Sequence, residues 1–309
     1  MTDLTTDPPA SGPDVPRDSA TRGPRHAAWA LVRAAIPRAS FEPGPRRVAH
    51  PTRPELWLEL GESEGWQTSL PPTPAARDLL DLYVPLTCRR DFVIGQLGQS
   101  LDGRIATVSG RSHYITGPED IRRLHRLRAL VDAVVVGAET VAQDDPRLTV
   151  RDVEGENPAR VVLDPDGRLA QERRVFTDRT APTLVVRRAE VDGSPSGTSG
   201  NESSATPPED GPGVLTLPAG TNGFEPGAVL EALRARGLRR VLVEGGVTVS
   251  KFLESGLLDR LHVTVAPVLI GSGRSGITLP VIETLDQALR ARCRHVALGD
   301  DLLFDLDLS

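Results

Sequence analysis

Cysteine is nearly absent from this sequence of 309 residues; Cys88 and Cys293 are the only two. A disulfide framework and a cysteine-rich zinc site are thereby excluded. Long hydrophobic runs are missing as well: no stretch approaches the ~20 apolar residues that span a bilayer, and no basic start leads into an apolar segment at the N-terminus. Positive charge is not in excess either. The formal net charge is −6 and the pI about 5.6, which argues against sequence-independent nucleic-acid binding. The expectation is a cytoplasmic protein with no nucleic-acid, membrane or metal partner. No G-x-S-x-G elbow prepares a serine nucleophile, and the six histidines are scattered. The H-x-E and P-C-x-x-C pairing of a zinc deaminase is absent too.

Proline and glycine, 27 and 29, are plentiful and unevenly spread. Residues 1–26 and 190–213 hold almost no large apolar side chain, so neither can offset the entropy of ordering it. The first is expected as a disordered tail and the second as a disordered insertion within a domain. Residues 27–90 form a small N-terminal region of no legible role. It offers a helix in HAAWALVRAAI, with Trp29, Leu31, Val32 and Ile36 on one face, a strand in ELWLEL, and a helix in AARDLLDLYVPL.

At Asp91 the pattern changes to one α/β domain that runs to residue 309. DFVIGQLGQSLDG begins as a buried strand broken by Gly and Asp. TGPEDIRRLHRLRAL reads as a helix with Thr116 as N-cap and Glu119 and Asp120 in the first turn. Ile121, Leu124, Leu127 and Leu130 supply its apolar face, which leaves Arg122, Arg123, Arg126 and Arg128 to a solvated one. AVVVG, ARVVLDP and APTLVVR are β-branched runs suited to strands buried on both faces of a parallel sheet. AVLEALRARG, RRVLVEGG, TVSKFLESGL and DRLHVTVAPVLIG continue the alternation of helix and strand. LLFDLDL alternates as an edge strand does. The sum is a three-layer α/β sandwich whose central sheet is mixed and mostly parallel.

Four segments carry candidate chemistry. In VLVEGGVTVSKFL a strand delivers Glu244 to its C-terminal end, Gly245 and Gly246 follow, and a helix opens at about Thr248. The backbone N–H groups there form either an anion site for a dinucleotide phosphate or a plain tight turn. Gly271, Gly273 and Gly276 match G-x-G-x-x-G, but ITLPVIETL follows in place of a helix, so a flexible loop is expected there. SLDGRIATVSGRSHYITG gathers Ser100, Asp102, Ser109, Ser112, His113, Tyr114 and Thr116 between a strand and a helix. GAETVAQDDPRLTVR sets Thr140, Asp144, Asp145, Arg147 and Arg151 close together. Arg151 either grips a phosphate through its fork of donors or pairs with Asp145.

Taken in order, SLDGRIA, S-x-x-Y-I-T-G, LRALVDAVVVGAETV, DDPRLTVR and VLVEGG resemble the reductase domain of the bacterial riboflavin-biosynthesis deaminase/reductase family, over roughly residues 91–309. The resemblance implies a dihydrofolate-reductase-like fold and a frequently homodimeric enzyme. The implied reaction uses NADPH to reduce the ribosyl group of 5-amino-6-(5-phosphoribosylamino)uracil to ribityl, by hydride transfer to C1′ of an opened, imine-like ribose. It implies substrate contacts at Ser112, Arg128, Leu148, Arg151 and Glu244. It implies cofactor contacts at Tyr114, Thr140, Asp144 and the backbone from Gly245 through Gly246, Val247 and Thr248 toward Phe252. No side chain acts as a nucleophile. Two positions depart from the family: Gln96 stands where a Lys is usual, and Tyr114 where a Trp is common. With no deaminase signature, the expectation is a reductase alone. The alternatives are a reductase of another pyrimidine or pterin, and a non-catalytic dinucleotide-binding protein.

Overall fold

The computed structural model describes residues 23–36, 44–61, 65–112, 115–189 and 212–309. Most of the expected tail and insertion, and Tyr114, lie outside these residues. The described chain falls into two compact units, one made of 23–35 and 44–84, the other essentially Pro85–Ser309.

The first unit opens with helix α1 (Pro24–Ala34), followed by strands β1 (Arg46–His50), β2 (Arg53–Leu60) and β3 (Trp66–Thr68) in an antiparallel sheet of that order. Helix α2 (Pro74–Thr87) closes it. Trp29 and Tyr83 meet edge to face at 5.6 Å, and Trp66 Nε1 donates to Asp81 Oδ1 at 2.8 Å, so these aromatics are packing anchors.

The second unit runs β4 (Phe92–Ser100), β5 (Arg104–Ala106), α3 (Pro118–Arg128), β6 (Ala133–Gly137), α4 (Ala138–Asp144), β7 (Ala159–Leu163), α5 (Arg174–Thr177), β8 (Thr183–Arg188) and β9 (Gly213–Leu217). There follow β10 (Ala219–Gly220), β11 (Gly223–Phe224), α6 (Pro226–Arg234), β12 (Arg240–Glu244), α7 (Gly246–Glu254), β13 (Arg260–Ala266), β14 (Arg274–Ser275), β15 (Arg292–Leu298) and β16 (Asp301–Asp307). A nine-stranded sheet has the order β15-β16-β13-β4-β12-β6-β7-β8-β9. From β13 to β9 every pairing is parallel, while β16 pairs antiparallel with both β13 and β15. The β-branched runs thus occupy the centre, as expected of strands covered on both faces. The chain leaves β4, builds outward to β9, and returns to insert β12 between β4 and β6. That reversal opens a crevice at the C-terminal ends of the central strands.

The two faces of β4 are unlike. Val93 and Leu97 join Val135, Val161, Val243, Leu230 and Phe252 in an apolar core. A Cβ at Gly95 would meet Leu258 and Leu261 on that side, whereas one at Gly98 would meet Thr116 on the other. Gln96 shares the second face, which α3 covers.

Three sequence expectations need correction here. Helix α3 is capped at Gly117, not Thr116, and the Gly117 N–H donates to Asp301 Oδ2 at 2.6 Å. Its buried residues include Asp120, Arg123, Leu127 and Arg128, while Ile121 is exposed. Of the four arginines assigned to a solvated face, Arg123 and Arg128 turn inward, where the sheet beneath carries polar partners, while Arg122 and Arg126 stay part-exposed. LLFDLDL is not the edge: β15, unread in the sequence, pairs outside it. Asp301 and Asp305 lie inward on β16, and their carboxylates find donors there.

Candidate active site

A cleft of about 640 Å³ crosses the C-terminal ends of β4, β12, β6 and β7. Of the expected site residues, Ser112, Thr140, Asp144 and Glu244 through Thr248 line it; Arg128, Leu148 and Arg151 do not.

Glu244 ends β12 with its carboxylate nearly buried, and Arg128 holds it in a fork. Nε donates to Oε1 and Nη2 to Oε2, both at 2.9 Å. Such a bidentate pair fixes orientation as well as charge. Behind it, Arg128 Nη1 points at the Thr149 carbonyl at 3.4 Å, and the Arg151 N–H donates to His125 Nδ1 at 3.3 Å. Arg151 does not pair with Asp145, which accepts from the Arg174 N–H at 2.8 Å. Its guanidinium donates to Thr149 Oγ1 at 3.0 Å. Partial burial, with the Arg128 charge beside it, lowers the Arg151 pKa against the opposing pull of Asp152. Positive charge is therefore crowded here. Leu148 is buried with φ 57°, a left-handed backbone that aims the following segment.

The glycines after Glu244 have a steric reason. Gly245 holds φ 91°, and a Cβ there would lie 2.5 Å from Thr140 Oγ1. A Cβ on Gly246 would lie 2.6 Å from the Gly276 carbonyl. Helix α7 starts at Gly246, two residues ahead of expectation, and its first i→i−4 bond runs from the Val249 N–H to the Gly245 carbonyl at 2.9 Å. The N–H groups of Gly246, Val247 and Thr248 precede it and are left for the cleft they line. Ser112 Oγ donates to Asp144 Oδ1 at 2.6 Å, which ties the segment before α3 to the end of α4, both lining the cleft.

Sequence reasoning missed part of this wall. GSGRSG is not a free loop: Arg274 and Ser275 pair with β5 and line the cleft, and Gly276 packs against the start of α7. Asp102 of SLDG ties its turn to the segment at Ile270 and Gly271. It accepts from Ser100 Oγ at 2.5 Å and from the Gly271 N–H at 2.6 Å, and these bonds hold its pKa down to about 2. Far along the cleft stand Asp166, Arg168, Arg188, Asn222 and Lys251, none singled out by motif. Gln96 and Asp120 also line it, and both lead into a buried network. The audible clue was the Asp120/Arg123 spacing of three on one helix.

The donor set fits a dinucleotide. A helix start whose first N–H groups have no hydrogen-bond partner among the described residues suits a pyrophosphate, and the cationic Arg168, Arg188 and Lys251 line the same cleft. This crevice defines the class: a mixed-sheet α/β protein with a candidate ligand cleft at a topological switch point. Residues 91–304 match the RibD C-terminal domain, and the chain belongs to that family. It is similar to the riboflavin biosynthesis protein RibD of Aquifex aeolicus, 35% identical over 226 residues, covering 72% of this chain and 59% of that protein. It is similar also to the 2,5-diamino-6-ribosylamino-4(3H)-pyrimidinone 5′-phosphate reductase of Methanothermobacter thermautotrophicus, 37% identical over 228 residues, covering 70% and 97%. Among solved structures, RibD of Acinetobacter baumannii superposes with a TM-score of 0.56 at 27% identity, covering 75% of this chain and 62% of that one. The chain thus spans about three fifths of the RibD proteins it matches. Among the described residues no helix is long and apolar enough to cross a membrane.

Proposed function

We propose that this chain is an NADPH-dependent reductase of the riboflavin-biosynthesis type, which reduces the ribosyl group of 5-amino-6-(5-phosphoribosylamino)uracil to ribityl. The observation that carries this is one cleft in which a fixed carboxylate, Glu244, stands directly before N–H groups of α7 that have no partner among the described residues, in a chain of the RibD C-terminal family. A second reading keeps the chemistry and changes the ring to a 2,5-diamino-pyrimidinone. It is favoured by the relative named for that substrate, which this chain covers over 97% of its length.

In this reading Glu244 accepts hydrogen bonds from the pyrimidine, and Arg128 holds the carboxylate in one orientation. Arg151, crowded by like charge, receives the 5′-phosphate. The N–H groups of Gly246, Val247 and Thr248 hold the cofactor's pyrophosphate, and Thr140 and Asp144 border it. NADPH held there would supply a hydride for C1′ of the open-chain imine, and a proton taken from solvent would complete the amine. The protein's task is orientation and exclusion of water, worth several orders of magnitude when both reactants are aligned. The working unit proposed is a homodimer, because Leu279, Val281, Ile282, Leu285 and Leu289 are all exposed in one segment of the chain.

The test is oxidation of NADPH by the purified chain with each of the two pyrimidine phosphates. Turnover of either, with the ribityl product identified by mass, is the expected result. NADPH binding without turnover of either substrate would defeat the reading.

A further inference from the structure

Gln96 stands where two systems meet. On β4 it is the register partner of Glu244 in β12 and of His262 in β13, so three side chains in a row share one face of the sheet. Helix α3 reads that row: Arg128 grips Glu244, and Arg123 reaches both other members. Gln96 Oε1 accepts from Arg123 Nη2 at 3.0 Å. Arg123, only 1% exposed, donates also to Asp120 Oδ1 at 2.6 Å and to His262 Nδ1 at 3.1 Å. Asp120 is held in turn by Thr264 Oγ1 at 2.7 Å.

A guanidinium has donors and no acceptor. The end of the amide that faces it must be the oxygen, because a flipped amide would set N–H against N–H in a buried site. Arg123 thereby locks the carboxamide in one orientation and leaves Nε2 as the remaining end. Nε2 has no hydrogen-bond partner among the described residues, and Gln96 lines the cleft beside Glu244.

We infer that Gln96 is a specificity-determining substrate contact, donating from Nε2 to an uncharged oxygen of the substrate, and that Arg123 is the positioning residue that fixes this donor. The inference rests on the cleft being the pyrimidine-phosphate site. Glu244 and Gln96 then make opposite demands on neighbouring substrate atoms: one accepts, the other donates. A neutral amide selects by hydrogen-bond direction and adds no charge beside Arg128.

Gln96→Glu keeps size and keeps an acceptor toward Arg123 but replaces the donor by a second acceptor; Gln96→Met removes both. Each is expected to raise KM for the pyrimidine phosphate by ~10-fold or more, with a smaller change in kcat and the Kd for NADPH within about twofold of wild type. Arg123→Gln, which accepts as readily as it donates, frees the amide to flip and is expected to raise KM in the same way, with rescue by Arg123→Lys. An unchanged KM in Gln96→Glu, with wild type active, overturns the inference and leaves the proposed function standing; an unchanged KM in Arg123→Gln removes the positioning role. If wild type fails to turn over, the proposed function falls, and calorimetric titration with the ribitylamino 5′-phosphate product decides the inference. Binding weakened ~10-fold by Gln96→Glu sustains it; equal affinities, or no binding by wild type, overturn it.

Discussion

Arg151 illustrates how a residue's role follows from what its neighbours leave undone. Its guanidinium finds only a threonine hydroxyl in the described structure, and its charge stands near those of Arg128 and Arg147. Arg128, by contrast, is fully engaged by Glu244. An anion arriving between these groups would add to the partial relief that Asp152 and Asp178 give. Arg151→Ala is therefore expected to raise KM for the phosphorylated substrate by ~10- to 100-fold while kcat falls less, since a phosphate contact remote from C1′ acts mainly in binding. The thermal midpoint should stay close to wild type, because the side chain is exposed and bonds only locally. A KM that does not move would remove the phosphate from Arg151. Truncating Glu244 would be a poorer test, because it strands a buried guanidinium at a cost of about 3–5 kcal/mol and mixes folding with catalysis.

At the scale of elements, α3 and strands β13 and β16 are bound by charges that the sequence pattern sends to solvent. Arg260 Nε donates to Asp305 Oδ1 at 2.6 Å, and Arg294 Nη2 to Asp305 Oδ2 at 2.8 Å. His262 lies between them and Arg123, wholly buried. Its Nδ1 receives the Arg123 N–H, so its proton sits on Nε2, 3.2 Å from Asp305 Oδ1. Burial, with Arg123 and Arg260 close by, holds its pKa down to about 4 in spite of Asp305. The unfolded chain would titrate this group at about 6.5. Between those values the unfolded state binds more protons, so the stability from a neutral His262 is complete above ~6.5 and is lost as pH falls toward 4. The loss should reach about 3 kcal/mol, with His125, whose pKa burial and Arg128 also lower, adding to it. Denaturant unfolding at steps of pH from neutral to mildly acid reads this directly. In His262→Gln, where the amide can accept from Arg123 and never titrates, the slope should flatten. An equal slope in both proteins would assign the acid loss elsewhere. The central strands were legible because β-branched runs announce burial on both faces. The inward face of α3 was not, because periodicity sends Arg to water and the partners, Gln96, His262 and Glu244, lie far away in sequence. Glu244 and its glycines were legible as a strand-to-helix turn, although only the structure supplies the clash with Thr140 that demands Gly245.

The whole molecule raises a question of surface. The polar network above is enclosed, yet β15 at the sheet edge alternates exposed and half-buried residues, and the segment before it is apolar and open. Val281 is 96% exposed and Leu285 77%, with Leu279, Ile282 and Leu289 near them in sequence. A monomer that left this segment in water would forgo roughly 25 cal/mol for each Å² of apolar surface, and an edge strand beside it offers unpaired backbone groups. A second copy of the chain covers such a segment at no cost in new sequence, and a two-fold contact is the commonest way to do so. The full chain is therefore expected to run as a dimer in light scattering at micromolar concentration. The Val281→Asp/Leu285→Asp variant should shift toward monomer because each new carboxylate would be buried without a partner. Neither position lines the cleft, so NADPH affinity should be retained in that variant. A dimer in both proteins would place the interface on another face. A monomer in wild type would leave the exposed segment for another partner, and catalysis would then have to be explained within one chain, whose cleft already carries Glu244, Gln96 and the start of α7 together.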